Sequence, residues 1–598
     1  MNESEKQFSF TRAASITSGR EKHLLISTTP TTEPKPSTQR RKAVAGSSLK
    51  IVLTGLLLAV AIQGPVLAQT IKAVDDGTVL KEIIFFGRHS IRTATSGTNS
   101  LNQCSANPFP DFVGVPVGYL TTNGQQAAGL LGAYFHEYLL HEGLLTGDAT
   151  SDLAHSYFRA NTIERSYMTA ANFGAGLIPH ANIPVHTYYP PPPNATPATT
   201  NADPVIDPLL AGVAPVAVDP VRALTEVQGV YGSGTNLSSA YSGELSLISR
   251  LLYPPGTQPR YPGISPTNGA LPGSFDPTTV PITLTISAPL TNGGPPYYYT
   301  GNVIAMGGLA SVAAAADPFV MQYCDNFPTN EVGWGQLTLA ALSQQTRINT
   351  LLIEIAMRQP YLARVQSSSA ASHILRTMIQ TISGTNLAGA FGDTNTRIHV
   401  IISSDYYVAG LAGLLGAHWL LPGYQPDFCP PGGTLVFELR QVKATGQYLV
   451  RVFYTAQTFD QLRNLTTLTL AEPPATMQLL IPGGSSPAAN LDVSFSSFSN
   501  LLNAAIGLEY VQAFDQETPP GVLAPYTADN PTNITACVSS NTLTIAWPAD
   551  HIGWILQAQT NGLSTGQWFD LPGTSTTSSA AITINPANPA IFYRLRRP

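Results

Sequence analysis

The chain has 598 residues, of which 43% are hydrophobic and 11% are charged, and its formal net charge is −6. This length exceeds what one hydrophobic core usually serves, so we expect more than one domain. Beyond residue 68 the chain carries 21 basic and 32 acidic residues. That balance does not attract polyanions in general and excludes nucleic acid as an expected partner, so any attraction for an anion must be local.

The first 68 residues form an N-terminal extension that ends in a secretory pattern. Residues 1–50 are polar, residues 51–62 form an apolar run, and a site of small residues ends at Ala68. This order predicts a signal peptide cleaved near Ala68 and a secreted or periplasmic protein. An uncleaved membrane anchor is the alternative, although the apolar run is short for a membrane span.

The segment IIFFGRHSIR, residues 83–92, combines a buried strand pattern with charged residues. A short apolar run flanked by polar residues is typical of a strand covered on both faces, and ligands of α/β sheets bind beyond the carboxyl ends of such strands. Arg88, His89 and Arg92 would lie there. Guanidinium groups match phosphate oxygens, and a neutral imidazole can attack phosphorus between them. The pattern favours phosphoryl transfer, with a solvated loop as the alternative.

The segment RHSIRTA, residues 88–94, resembles the RHGxRxP signature of the histidine acid phosphatases, and later segments resemble that family in the same order. The bacterial phytase and glucose-1-phosphatase branch is the most similar, and the resemblance covers residues 78–515. Collinear segments are far more specific than one short motif. The later segments are GYLTTNG at 118–124, RANTIERSYMTAANFGAGL at 159–177, DPVIDPL at 203–209, GWG at 333–335 and WLLPGYQPDFCPPGGTLVFE at 419–438.

The resemblance implies a hydrolase, an acid phosphatase that acts through a phosphohistidine. His89 would be the nucleophile and Asp405 the proton donor, and the phosphate-binding arginines would be Arg88, Arg92 and Arg165. Substrates would be small phosphate esters. The scattered histidines lack metal-ligand spacing, so we expect neither a metal nor another cofactor.

One departure from the family pattern lies in the second catalytic motif, whose His-Asp pair falls on Ser404 and Asp405. Ser404 can still donate one hydrogen bond to phosphate but carries no charge, and a lost preorganised donor costs on the order of 100-fold to 1,000-fold in turnover. A catalytically impaired protein that binds phosphorylated ligands is therefore the alternative to an enzyme. Ser90 also replaces the motif glycine, and Asp405 alone would pass for an ordinary helix N-cap.

Three further residues mark a possible substrate pocket: Thr95, Ser96 and Asp317. Phytases of the similar branch carry a basic residue after the first motif, where this chain has Ser96. A looser alignment puts the family's pocket glutamate on Asp317. Neither position favours phytate strongly, so sugar phosphates and inositol phosphates both remain open.

The implied fold is α/β, a three-layer histidine phosphatase sheet with a helical cap subdomain. We expect this domain to span residues 70–518, with the cap within about 180–395. Composition and periodicity predict helices over 337–358 and 363–382. The four cysteines are far apart, which excludes a CxxC motif and permits one or two disulfides. We favour a pair between Cys324 and Cys429.

The chain changes character after the phosphatase-like region. Residues 519–531 are typical of a linker, and residues 532–598 show short strand patterns separated by turn residues, which predicts a small all-β sandwich. The tail resembles fibronectin-like modules of bacterial extracellular proteins. Such a module could contact glycan or a cell surface, or could act as a spacer.

Overall fold

The computed structural model describes residues 76–97, 101–188, 203–209, 217–257, 275–289, 295–299, 301–486, 490–512, 534–539, 541–548, 551, 553–560, 568–585 and 590–596. The expected signal peptide and the expected linker at 519–531 lie outside these residues. Within them, no helix is both long enough and apolar enough to cross a membrane.

Strands and helices alternate through the phosphatase-like region. The strands are β1 (Thr78–Arg88), β2 (Ser156–Ala160), β3 (Val185–His186), β4 (Ala217–Val218), β5 (Thr283–Ile286), β6 (Tyr297–Tyr298), β7 (Ile304–Gly307), β8 (Ile398–Ser403), β9 (Thr434–Val442), β10 (Tyr448–Ala456), β11 (Ala475–Gln478) and β12 (Val493–Ser494). The helices are α1 (Thr122–His141), α2 (Ala149–Ala154), α3 (Glu164–Leu177), α4 (Pro220–Tyr231), α5 (Gly234–Ala240), α6 (Ser242–Leu252), α7 (Leu309–Cys324), α8 (Leu339–Ile353), α9 (Pro360–Ser383), α10 (Asp405–Leu415), α11 (Phe459–Arg463) and α12 (Phe495–Ala505).

An eight-stranded mixed sheet lies at the centre of this region. Its order is β11-β10-β9-β1-β8-β2-β3, and β12 also pairs with β10. β1, β8, β2 and β3 are parallel neighbours, whereas β9 to β12 pair in antiparallel fashion. Because parallel strands end at one edge of a sheet, the residues that follow β1, β8 and β2 meet there.

Side chains of β1 alternate between two layers of helices. Phe85 packs against α1 and α3, with its ring centroid 4.7 Å from that of Phe135 and 5.3 Å from that of Phe173. Phe86 belongs to the cluster on the other face, which includes Leu362 of α9 and Leu411 of α10. Successive strand residues point to opposite faces, so the apolar run of β1 produces the predicted three-layer α/β architecture.

The chain between β3 and β8 supplies helices α4 to α9, in the part of the sequence where the cap is expected. The helix predicted over 337–358 is α8 followed by one π-helical turn, Glu354–Arg358. The helix predicted over 363–382 is α9, which begins at Pro360, because proline is accepted in the first turn of a helix.

The favoured disulfide between Cys324 and Cys429 is wrong. All four cysteines are free thiols: Cys104, Cys324 and Cys429 are buried, and Cys537 is exposed. Burial raises the pKa of the Cys429 thiol to about 12. The buried cysteines therefore act as small apolar side chains in the core.

The described tail contains two small antiparallel sheets. Their strands are β13 (Thr535–Ser539), β14 (Thr542–Ala546), β15 (Ile555–Gln559), β16 (Phe569–Asp570), β17 (Ser579–Thr583) and β18 (Phe592–Arg596). One sheet has the order β13-β14-β17 and the other has the order β16-β15-β18. The all-β character of the tail is as predicted, and packing of the sheets into a sandwich stays a prediction.

Candidate active site

The ends of β1 and β8 bring the two sequence motifs side by side. Arg88, the last residue of β1, is in register with Ser403, the last residue of β8. The backbone N–H of His89 donates to the Ser403 carbonyl over 3.0 Å. Ser404 and Asp405 follow immediately, so the first motif and the altered second motif lie at one edge of the sheet.

Arg88 is buried and links the two motifs. Its Nη2 lies 3.2 Å from Oδ2 of Asp405, and its Nη1 donates to the carbonyl of Cys429. The Cys429 carbonyl belongs to the loop before β9, a partner that the sequence analysis missed. The matched segment 419–438 contained this loop, but a backbone carbonyl leaves no signal in the residue type.

Arg92 and Arg165 complete a cluster of three guanidinium groups. Arg92 makes two hydrogen bonds with Asp317, at 2.9 and 3.2 Å, and Arg165 Nη1 donates to the Gly118 carbonyl over 3.0 Å. The Nε atoms of Arg88, Arg92 and Arg165 are buried and have no hydrogen-bond partner. Buried donors normally have partners, so the cluster is suited to an anion that accepts from them.

His89 lies inside this positive field. Its Nδ1 is 2.9 Å from the carbonyl oxygen of Ser90, and a carbonyl can only accept, so Nδ1 carries the proton and Nε2 presents its lone pair. Burial, with the charges of Arg165, Arg88 and Arg92, holds the pKa of His89 well below its usual value. The lowered pKa therefore favours the neutral form of the imidazole, in which Nε2 is free to react.

The arginine charges also act on one another. Burial and the neighbouring charge of Arg92 lower the pKa of Arg165 to about 10, with Asp405 opposing that shift. Arg165 thus stays protonated below neutral pH. An anion at the centre of the cluster would relieve the mutual repulsion.

Ser404 and Asp405 begin α10. Ser404 is the N-cap residue, but its side chain makes no capping hydrogen bond. The Oδ1 of Asp405 accepts from the backbone N–H of Tyr406 over 3.2 Å, while its Oδ2 pairs with Arg88. The N-cap interpretation therefore accounts for neither the Ser404 hydroxyl nor the orientation of Asp405 toward a buried guanidinium.

Ser90 fits its position without the conformational freedom of glycine. Its backbone N–H donates to Oγ1 of Thr169 over 3.0 Å, and it is absent from the described residues with positive φ. Thr169 lies on the same helix as Arg165 and is a second contact that the sequence analysis missed. The glycine-to-serine change therefore leaves the backbone of the motif intact.

The three expected pocket residues lie in different surroundings in the structure. Asp317 contacts the arginine cluster through Arg92. Ser96 lines a small cleft beside the site, whereas Thr95 is exposed and is not among the residues of that cleft. Gln322, one turn after Pro318 on α7, lines the same cleft and was not predicted, although positions four apart share a helix face.

Two buried acidic side chains contact residues next to the site. Asp207 interacts with Asn161, which follows β2, and with Tyr407 of α10, and burial followed by the charge of Asp203 raises the pKa of Asp207 well above its usual value. Asp325 accepts a hydrogen bond from the Thr121 hydroxyl over 2.5 Å, and burial raises its pKa to about 7.

No group of three or more His, Cys, Asp or Glu side chains that could hold a metal ion occurs in the described part of the chain. The polar atoms that gather at the site are guanidinium, imidazole, hydroxyl and carboxylate groups. This set of groups can bind an anion and transfer protons to and from it.

No family model matches the chain. The phytase AppA of Escherichia coli is 26% identical over 433 residues, which cover 71% of this chain and 92% of that protein. The glucose-1-phosphatase of Salmonella typhimurium is 25% identical over 458 residues, which cover 75% of this chain and 98% of that protein.

Solved structures show the same architecture. The apo phytase of Hafnia alvei is 25% identical, with a TM-score of 0.61, and the match covers 73% of this chain and all of that one. The phytase of Citrobacter braakii is 21% identical, with a TM-score of 0.62, and the match covers 73% of this chain and 99% of that one. By its fold and its sequence relatives, the chain is a homologue of the histidine acid phosphatases.

Proposed function

We propose that this protein is an exported acid phosphomonoesterase that hydrolyses phosphate esters of sugars or inositols through a phosphohistidine. The observation that carries the proposal is the position of His89, a buried neutral imidazole with a protonated Nδ1 among three guanidinium groups whose Nε atoms are unpaired. This arrangement provides both a nucleophile and a site for the phosphoryl oxygens.

In the proposed first step, Nε2 of His89 attacks phosphorus. The bond from phosphorus to the ester oxygen breaks as the bond to nitrogen forms, and Asp405 gives its proton to the departing alcohol. Water then attacks the phosphohistidine, the bond to nitrogen breaks, and Asp405 takes the proton from that water. Arg88, Arg92 and Arg165 hold the three equatorial oxygens, since charge and position supply most of the catalysis in phosphoryl transfer.

The relatives support the proposed substrate class. These relatives are a phytase and two glucose-1-phosphatases, and a Hafnia alvei phytase, 25% identical with a TM-score of 0.58, has been solved with myo-inositol hexakis sulphate. Phosphate esters of polyhydroxylated rings are the chemistry that these names share. The low pKa of His89 further supports activity under acidic conditions, because the nucleophile need not lose a proton there.

The second candidate is a phosphatase-fold protein that binds phosphorylated ligands with little turnover. Ser404 favours it, because a hydroxyl stands where the family pattern has an imidazole. The ion pair between Arg88 and Asp405 also engages the proposed proton donor in the absence of substrate. Retention of a nucleophile and a carboxyl group at one strand edge favours the enzyme over this candidate.

The flanking regions complete the proposal. We infer that export ends with cleavage near Ala68, that residues 70–518 form the catalytic domain with its cap at about 180–395, and that residues 519–531 connect it to a β-sandwich of residues 532–598. The tail would contact a surface or glycan. These boundaries rest on the sequence pattern.

The test is hydrolysis of p-nitrophenyl phosphate, glucose-1-phosphate and phytate from pH 3 to 8 by the exported protein. His89→Ala should abolish turnover, whereas His141→Ala, an exposed histidine at the end of α1, should match the unmodified protein. Acid-labile phosphate should be trapped on the active protein and absent from His89→Ala. Phosphate binding by a folded protein without turnover would select the binding candidate instead.

A further inference from the structure

A small cleft adjoins the arginine cluster on the side of Asp317. Thr93 and Ala94, which follow Arg92, line it, as does Pro318, which follows Asp317. The two chain segments that form the Arg92–Asp317 ion pair therefore also form the inner wall of the cleft. A phosphate ester held by Arg92 would direct its organic part into this space.

Gln322 gives the cleft an unused hydrogen-bond acceptor. The side chain is fully buried, and its Nε2 donates to the Pro110 carbonyl over 3.0 Å. A carbonyl can only accept, so this contact fixes which end of the amide is nitrogen. The other end, Oε1, is buried and has no partner. An unpaired buried acceptor is costly, and a hydroxyl group in the cleft would satisfy it.

The remaining polar lining also accepts hydrogen bonds and offers no positive charge. Asp111 contributes a carboxylate and Ser96 a hydroxyl, while the apolar walls include Leu101 and Phe112. None of the residues that line the cleft is Lys, Arg or His. A second phosphate placed here would face a carboxylate, and like charges repel each other.

We propose that this cleft, with Gln322 as a specificity-determining residue, receives a neutral polyhydroxylated ring, so that the preferred substrates are monophosphorylated polyols and not polyphosphorylated ones. The inference rests on the proposed function and narrows its substrate class. The hydroxyl groups donate to Gln322 and Asp111, and the apolar faces of the ring contact Leu101 and Phe112.

Three esters of one six-membered ring test the inference on the unmodified protein: myo-inositol 1-phosphate, cyclohexyl phosphate and myo-inositol hexakisphosphate. At the remaining ring carbons, the first ester carries hydroxyl groups, the second carries no further groups, and the third carries further phosphates. We expect kcat/KM for the monophosphate to exceed that for cyclohexyl phosphate about tenfold, since one satisfied acceptor contributes about 1 kcal/mol or more, and to exceed that for the hexakisphosphate by more.

Gln322→Leu then isolates the acceptor. It should lower the ratio of kcat/KM for myo-inositol 1-phosphate over cyclohexyl phosphate about tenfold, whereas Gln344→Leu, an exposed glutamine on α8, should leave the ratio unchanged. Equal rates for the two monoesters, or faster hydrolysis of the hexakisphosphate, would overturn the inference and leave the proposed function standing. Absence of turnover with all three esters and with p-nitrophenyl phosphate would instead overturn the proposed function.

Discussion

The two strand ends that meet at the site differ in their chemistry. The β1 end carries Arg88, His89 and Arg92, an imidazole with two guanidinium groups, and Arg165 of α3 adds a third guanidinium group. The β8 end carries Ser404 and Asp405, one hydroxyl and one carboxyl group. The proposed anion-binding side is thus rich in charge, whereas the side proposed to protonate the leaving group has a single titratable residue.

This difference separates binding from turnover. Groups that contact phosphoryl oxygens in both the ground state and the transition state lower KM, whereas groups whose contacts strengthen in the transition state raise kcat. Under the proposed function, the arginine cluster would supply ground-state binding. An imidazole at position 404 would add a charged donor to a phosphoryl oxygen, and that contact would strengthen as charge develops in the transition state, so serine at this position should reduce kcat more than it weakens binding.

The two ends share one feature, a buried acid behind each of them. Asp325 accepts from Thr121, whose backbone N–H donates to the Ile91 carbonyl beside Arg92. Asp207 contacts Tyr407, two residues after Asp405. Both acids have raised pKa values, so acidic conditions favour the folded arrangement on both sides.

The largest effect should come from Arg88→Ala, because Arg88 touches both ends. It is buried and pairs with Asp405, so its loss removes an oxyanion donor and the contact that orients the carboxyl group. We expect kcat/KM for p-nitrophenyl phosphate to fall on the order of 1,000-fold. Arg347→Ala removes a more exposed arginine paired with Glu244 and should change kcat/KM less than about threefold. Similar losses of kcat/KM in the two variants would show that Arg88 has no special role in the site.

Asp325→Asn should change how stability depends on pH. The carboxyl group has a folded pKa of about 7 against an ordinary value of 3.8, so between these values the folded protein binds more protons than the unfolded chain. Its free energy of unfolding therefore falls as pH rises from about 4 to 7, by up to about 4 kcal/mol from this group. The introduced amide cannot ionise and would still accept from Thr121, so urea unfolding at pH 4 and 8 should differ less in the variant. An unchanged difference would contradict the raised pKa.

Ser404→His tests directly whether the β8 end limits turnover. The new imidazole can be protonated under acidic conditions and can donate to a phosphoryl oxygen, so we expect kcat to rise about 10-fold to 100-fold, with a smaller change in KM. Ser404→Asn supplies a neutral donor and separates hydrogen bonding from charge. Equal gains in both variants would show that a longer donor suffices, and no gain in either would mean that the β8 end does not limit turnover.

The sequence located the residues at the β1 end from a local pattern, because an apolar run followed by RHSIR predicts a strand with charged residues beyond it. Ser404 and Asp405 were located by the resemblance to the histidine acid phosphatases, since Asp405 alone would pass for a helix N-cap. The meeting of the two ends at one edge follows from the geometry of parallel strands.

Contacts across long separations could not be found in this way. The bonds from Arg92 to Asp317 and from Arg88 to the Cys429 carbonyl join residues 225 and 341 positions apart. They depend on how the chain after β3 returns to the sheet, which local patterns do not encode. The expected Cys324–Cys429 disulfide was wrong for the same reason, since two well-separated cysteines reveal nothing of their distance in the fold.

The smallest effect on activity should come from Asp207→Asn, because Asp207 contacts Tyr407 near the β8 end and does not belong to the site itself. Burial and Asp203 raise the pKa of Asp207, so the residue acts as a neutral acid, and an amide of the same shape can replace it. We expect kcat/KM to change less than about threefold, while Asp207→Ala, which leaves Tyr407 and Asn161 without this partner, should lower it further and reduce the melting temperature. The raised pKa also means that the stability contributed by Asp207 is present below about pH 4 and is lost as pH rises through the folded pKa, a dependence that Asp207→Asn should remove. A loss of activity in Asp207→Asn as large as that in Asp207→Ala would show that the carboxyl group itself is needed, and that the β8 end has a second titratable residue after all.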